Sequence, residues 1–167
     1  MKLRNSTICA LTIMLLSFSW AQESQPAGIL SSDDVKKVAP ATFFYRGQSA
    51  STQLRNSAGI RTGEKKYVLA GLVDTSGYAS NVAQKYQGFF ITEVKVKIEG
   101  SELVPGEYGF GFTGDKFVVT DAGANDVLSA PFKTDDGLKR PVPLKIGQDG
   151  KAYRLYAGRK YVALEIE

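Results

Sequence analysis

Histidine is absent from the 167-residue sequence, cysteine and tryptophan occur once each, and methionine occurs twice. Met1, Cys9, Met14 and Trp20 all fall in the first 21 positions, so the chain from residue 22 onward has none of these four types. That absence excludes disulfides, thiolate and imidazole metal sites, haem ligation by His or Met, and any nucleophile that relies on a Cys or a His base. No metal and no cofactor is expected. A surplus of one charge is missing too: without Lys2 and Arg4, 19 basic residues face 17 acidic ones, a net charge of +2. A surplus this small and scattered makes no electrostatic footprint for nucleic acid.

The first 21 residues differ in kind from the rest. Lys2 and Arg4 precede an apolar run from Ile8 to Phe18, and Ser19-Trp20-Ala21 places small residues at the two positions a signal peptidase reads. The run is shorter than the about 20 apolar residues a membrane-spanning helix needs. The segment is expected to be a signal peptide cleaved after Ala21, which makes the protein exported, periplasmic or extracellular, with no membrane span in the mature chain. Cys9 is not placed to be a lipidated N-terminus. Residues 22–30 are expected to be a flexible tether and residues 31–167 a single β domain, long enough for one core.

Period-2 patterning dominates that domain. Phe90, Thr92, Val94, Val96 and Ile98 share one parity and Glu93, Lys95, Lys97 and Glu99 the other, as in a long strand with one wet face. Gly106 to Phe112 follows a Pro105-Gly106 turn and pairs with its predecessor as a hairpin, placing Tyr108, Phe110 and Phe112 on one face and glycines on the other. Glycine opposite aromatics marks a bend or the close approach of another backbone. Gly109-Phe110-Gly111 is not a phosphate loop, since no Gly-Lys-Ser/Thr and no helix follow it.

Further strands are expected at residues 41–45, 49–55, 67–73, 116–121, 126–132, 143–148, 152–157 and 161–166, the last two as a hairpin around Gly158-Arg159. Ser31-Ser32-Asp33-Asp34 caps a short helix that Pro40 ends, and a second covers residues 80–86. The fold class is all-β: an antiparallel sandwich or small barrel of roughly ten strands with one or two short helices. Leu103, Pro105-Gly106 and Tyr108 resemble the tyrosine corner of immunoglobulin-like and fibronectin-like domains, in favour of the sandwich. The glycine-kinked strand and sequential hairpins favour the barrel.

Two constellations bear on chemistry. Leu72-Val73-Asp74-Thr75-Ser76-Gly77 and Val118-Val119-Thr120-Asp121-Ala122-Gly123-Ala124 resemble the Asp-Thr-Gly loops of aspartic proteases, in which two carboxylates share a proton. Ser76 and Ala122 break the pattern, so Asp74 and Asp121 are expected to bond their own turns instead. The second constellation, Arg46, Gln48, Gln53, Arg55, Asn56 and Arg61 with Asp74, Tyr78 and Tyr86, is a candidate ligand pocket whose Arg would face a carboxylate or sulfate. The alternative is a solvated edge strand. Lys36-Lys37, Lys65-Lys66, Lys133, Lys139 and Arg140 are expected to be surface charge.

Phe44-Tyr45-Arg46-Gly47-Gln48, Arg55-Asn56-Ser57-Ala58-Gly59, residues 70–78, Lys85-Tyr86-Gln87-Gly88, residues 108–112 and residues 153–159 resemble a group of small exported bacterial proteins with no assigned activity. The resemblance implies a bacterial envelope setting and carries over no catalytic residue. The expected function is non-catalytic binding of a small molecule, glycan or envelope partner. Alternatives are a structural or interaction protein of the envelope and a carboxylate-based hydrolase, which would need two acids clustered in a cleft with a raised pKa.

Overall fold

The computed structural model describes residues 27–167. The expected leader, its cleavage site and the first part of the expected tether lie outside the described residues. In chain order the elements begin with β1 (Gly28–Ile29), α1 (Ser32–Val38), β2 (Thr42–Tyr45), β3 (Gln48–Arg61), β4 (Tyr67–Val73) and α2 (Ser80–Lys85). There follow β5 (Gly88–Thr92), β6 (Val96–Ile98), β7 (Ser101–Leu103), β8 (Gly106–Thr113) and β9 (Lys116–Thr120). The last are β10 (Asp126–Pro131), β11 (Lys133–Thr134), β12 (Val142–Asp149), β13 (Ala152–Gly158) and β14 (Lys160–Ile166). Within the stretch expected as a tether, Gly28 and Ile29 pair with Arg61 and Ile60.

All pairings are antiparallel. One sheet runs β1-β3-β4-β5-β8-β9-β10 with β2 on the side of β3, and the other runs β12-β13-β14-β6-β7 with β11 on β14. The two sheets form a sandwich, not a closed barrel. Their facing sides supply the main core: Ile60, Val68, Phe90, Phe110 and Val119 from the first meet Val96, Ile98, Leu155, Val162 and Leu164 from the second. Tyr108 belongs to this layer, and its hydroxyl donates to the carbonyl of Val104 at 3.0 Å, so the corner read from the sequence has the expected bond.

The long strand expected over residues 90–98 is two strands in different sheets. The chain leaves β5 at Thr92, whose hydroxyl donates to the carbonyl of Val94, and enters β6 at Val96 in the opposite sheet. Alternation carries through the crossing, which hides it: Val96 and Ile98 still face the core, and Val94 packs against it. For the same reason β8 is not in a hairpin with the strand just before it. It pairs with β5, Phe90 opposite Tyr108, after the chain has made the β6–β7 hairpin.

The first sheet is covered on its other face as well. A second cluster of Phe43, Tyr45, Leu69, Val82, Tyr86 and Phe89 fills the space between that face and the layer of β2 and α2. α1 is capped by Ser31, which accepts from the Asp34 backbone at 3.2 Å, and buries Val35. The glycines of β8 open the room for this outer layer. A Cβ on Gly111 would meet the carbonyl oxygen of Lys85 at 2.5 Å, and one on Gly109 would meet the rings of Tyr45 at 2.7 Å and Tyr86 at 2.9 Å. Gln87 ties α2 to the same strand, donating to the carbonyl of Phe112 and accepting from its N–H, both at 3.1 Å.

Candidate functional site

β2 and β3 are joined by Arg46-Gly47, with Tyr45 paired to Gln48 across the turn. Both turn residues have positive φ, 47° and 79°, the geometry that matches the twist of a two-residue hairpin. The Arg46 N–H donates to the carbonyl of Ala122 at 2.8 Å, which pins the hairpin tip to the loop between β9 and β10. Tyr45 is thereby inserted beneath α2. It stacks on Tyr86, with ring centroids 3.9 Å apart and planes inclined by 13°, while Tyr78 stands edge-on to Tyr86 at 5.2 Å.

The three phenols are bonded differently. Tyr45 Oη lies 2.8 Å from Thr120 Oγ1, which donates onward to the carbonyl of Gly109 at 3.3 Å, so Tyr45 donates to Thr120. Tyr78 Oη reaches back to the carbonyls of Tyr45 at 3.0 Å and Gln48 at 3.1 Å, bracing the turn from outside. Tyr86 Oη is buried and has no hydrogen-bond partner among the described residues. Burial pushes all three hydroxyls above the ordinary phenol pKa, Tyr86 furthest, because a phenolate loses its hydration there.

Beside this stack lies a cavity of about 240 Å³ lined by Tyr45, Arg46, Asn81, Val82, Lys85 and Ala124. Lys85 Nζ bonds both carboxylate oxygens of Asp126 at 2.9 Å. Arg46 and Ala124, both lining the cavity, are two of the four non-glycine residues with positive φ among the described residues.

The structure divides the residues singled out in the sequence. Arg46 lines the cavity, and Gln48, Tyr78 and Tyr86 surround its tyrosine wall. Gln53, Arg55 and Asn56 lie in an irregularity of β3, where the register with β4 shifts between Thr52 and Ser57. There Gln53 Nε2 donates to the carbonyl of Val73 at 3.3 Å, Asn56 Nδ2 to Gln53 Oε1 at 2.8 Å, and Ser57 Oγ to the carbonyl of Gln53 at 3.2 Å. Those bonds close the bulge, while the Arg55 side chain is exposed. Arg61 is buried at the end of β3, opposite Tyr67 and Gly28. Asp74 is exposed and accepts from the Ser76 N–H at 3.0 Å. Lys36, Lys37, Lys65, Lys66, Lys133, Lys139 and Arg140 are exposed.

Asp121 likewise serves its own loop, accepting from the N–H groups of Gly123 and Asn125 at 2.9 Å each. The donors within each turn hold Asp74 and Asp121 below the ordinary carboxylate range. Neither carboxylate sets the other's acidity, as a proton-sharing dyad would require.

Asn81 was not singled out in the sequence, and Lys85, Thr120 and Ala124 were quoted there only within longer motifs and not as pocket residues, although Gly109 and Gly111 on one face of β8 signalled that something packs there. A larger cavity, about 450 Å³, opens where the chain crosses between sheets and includes Glu64, Lys66, Glu93, Lys95 and Glu167. Its charges are already partnered: Lys66 pairs with Glu64 at 2.8 Å, Lys95 with Glu167 at 3.7 Å, and Glu93 accepts from the Tyr67 N–H at 2.7 Å. Lysines lower the pKa of Glu64 and Glu167, the reverse of what a general acid needs. Among the described residues no group of acids comes together as a metal site, and no helix is long and apolar enough to cross a membrane.

Fold and cavity together define an antiparallel β-sandwich with a covered outer face and a small basic recess between hairpin tip and helix. The chain matches no protein-family model, no curated protein and no solved structure.

Proposed function

We propose that the protein is an exported, non-catalytic binding module of the cell envelope and that it holds a small ligand in the recess between the β2–β3 turn and α2. The observation that carries this reading is the convergence of Arg46, Asn81 and Lys85 on one cavity walled by Tyr45. Recognition sites combine a mostly formed apolar wall with a few polar groups that fix orientation. The wall here is preorganised, since Tyr45 is locked by Tyr86 and Thr120. At about 240 Å³ the cavity is smaller than the roughly 300–1,000 Å³ of drug-sized sites, so it suits a small molecule or one group of a larger one. The export signal read in the sequence and the resemblance to small exported bacterial proteins support the envelope setting.

The test is native mass spectrometry of the protein purified from its own host, alongside the variant Asn81→Trp, whose indole fills the recess. A bound mass on the wild type that is lost in Asn81→Trp is expected. A wild type with no adduct, or an adduct retained by the filled variant, overturns the assignment of this site.

A further inference from the structure

Resting on that reading, we infer the ligand class: the recess selects an oxyanion, a carboxylate, sulfate or phosphate group, and Arg46 is the residue that grips it. The first argument is positional. A two-residue hairpin of this type requires positive φ at its first position, where Asn, Asp or Gly is the favoured residue, yet Arg46 stands there at φ 47°. Glu99 occupies the corresponding place in the β6–β7 hairpin at φ 46°. The fold uses the Glu99 side chain, which accepts from the Ala163 N–H at 2.7 Å and from Lys133 Nζ at 2.8 Å. The Arg46 side chain makes no hydrogen bond or ion pair with any described residue. Its hydrogen bonding is through the backbone, to Ala122, and its charge acts on the neighbouring Tyr45 phenol. Lys65, at φ 61°, is also an exposed cation at a positive-φ position, so what sets Arg46 apart is that its exposed side chain lines the recess.

The second argument is chemical. Lys85, which also lines the recess, already holds a carboxylate, with both oxygens of Asp126 at 2.9 Å from Nζ. That pair is half exposed, 46% and 51%, so water and small ions reach it. An entering oxyanion shares Lys85 with Asp126 and takes the planar guanidinium of Arg46, whose fork matches two oxygens at once. Asn81 adds an amide that can donate to a remaining oxygen.

The experiment is a chemical-shift titration of the isotope-labelled protein at constant ionic strength, with sodium sulfate, sodium D-glucuronate and D-glucose as probes. The last two differ at the carboxylate. Saturable shifts of the Arg46, Gly47, Lys85 and Ala124 amides are expected with sulfate and glucuronate, and at least about tenfold weaker ones with glucose, the ratio expected of one charge-assisted bond. Arg46→Asn is expected to weaken both anions at least tenfold and leave the thermal midpoint unchanged or raised, since Asn suits the turn. Arg46→Lys, which retains the charge without the fork, should fall between. Equal binding of glucose and glucuronate overturns the anion selectivity and leaves the ligand-binding reading standing. No saturable shift with either anion overturns it as well, and the native mass measurement then judges the site separately. A midpoint lowered by Arg46→Asn together with unchanged anion binding by Arg46→Lys would show that the arginine serves the fold.

Discussion

Tyr45 and Tyr86 lie face to face, but their hydroxyls play different parts. Tyr45 Oη is bonded to Thr120, whereas Tyr86 Oη has no hydrogen-bond partner among the described residues. A net buried hydrogen bond is worth about 1 kcal/mol, and orphaning a buried polar group costs about 1–3 kcal/mol. Tyr45→Phe should therefore cost about 1 kcal/mol. Thr120→Val should cost more, because it strands the Tyr45 phenol. Tyr86→Phe should be neutral or stabilising at pH 7, since the ring stays and only an uncompensated hydroxyl leaves. Urea unfolding of the three variants checks the order, and a loss in Tyr86→Phe equal to that in Tyr45→Phe would mean that its hydroxyl has a partner after all. Asp74 and Asp121 belong to the same scale. Each bonds its own turn, so Asp74→Asn should change stability slightly and remove no peptide cleavage, while acid-dependent cleavage lost on replacing either Asp would restore the protease reading.

At the scale of elements, β8 connects the two cores, with Tyr108, Phe110 and Phe112 on the sandwich side and Gly109 and Gly111 under the outer layer. Phe110→Ala should cost about 3–5 kcal/mol, and Lys95→Ala, a half-exposed position at the sheet crossing, should stay within about 0.5 kcal/mol. Gly111→Ala should cost about 1–3 kcal/mol by overpacking, and it should also lift α2 and alter the near-ultraviolet dichroism of the tyrosine stack. Gly114→Ala, at φ 57° with open space around it, should lose stability without that spectral change. Much of this element structure was legible in the sequence. β4 has the bounds read from it, Tyr67–Val73, the helices begin after Ser31 and Ala79, and β13 and β14 pair around Gly158. The crossing at residues 93–95 was not legible, because alternation is indifferent to which sheet a strand joins. The extent of β3 was hidden by polar residues in its bulge, where Gln53 and Asn56 bond each other and neighbouring backbone. Of the site, Arg46, Tyr78 and Tyr86 were readable as polar groups near turns, whereas Lys85 and Asn81 reach the cavity only through the docking of α2 on glycine.

At the scale of the molecule, the first sheet is loaded on both sides, and its outer load is rich in phenol. Tyr45, Tyr78 and Tyr86 sit together in that layer, and desolvation raises the pKa of each, as it does for Tyr108 in the main core. The sign of the consequence follows from proton counting. Below the ordinary phenol value of 10.0, native and unfolded chains both hold these protons, and the full stability is present. Above it the unfolded chain releases protons that the native chain retains, so stability falls as pH rises, by about 1.4 kcal/mol per pH unit for each phenol in this condition. The loss continues until the native pKa is passed, which for Tyr86 lies furthest up. Urea midpoints measured between pH 7 and strongly alkaline solution should be flat at first and then fall steeply beyond about pH 10. The fall should be shallower in Tyr86→Phe, because one of the retained protons is gone, so the stability of the variant relative to the wild type should rise in alkali. Parallel curves for the two proteins would mean that the buried Tyr86 phenol ionises like an exposed one, and with it would go the picture of a sealed aromatic wall behind the recess.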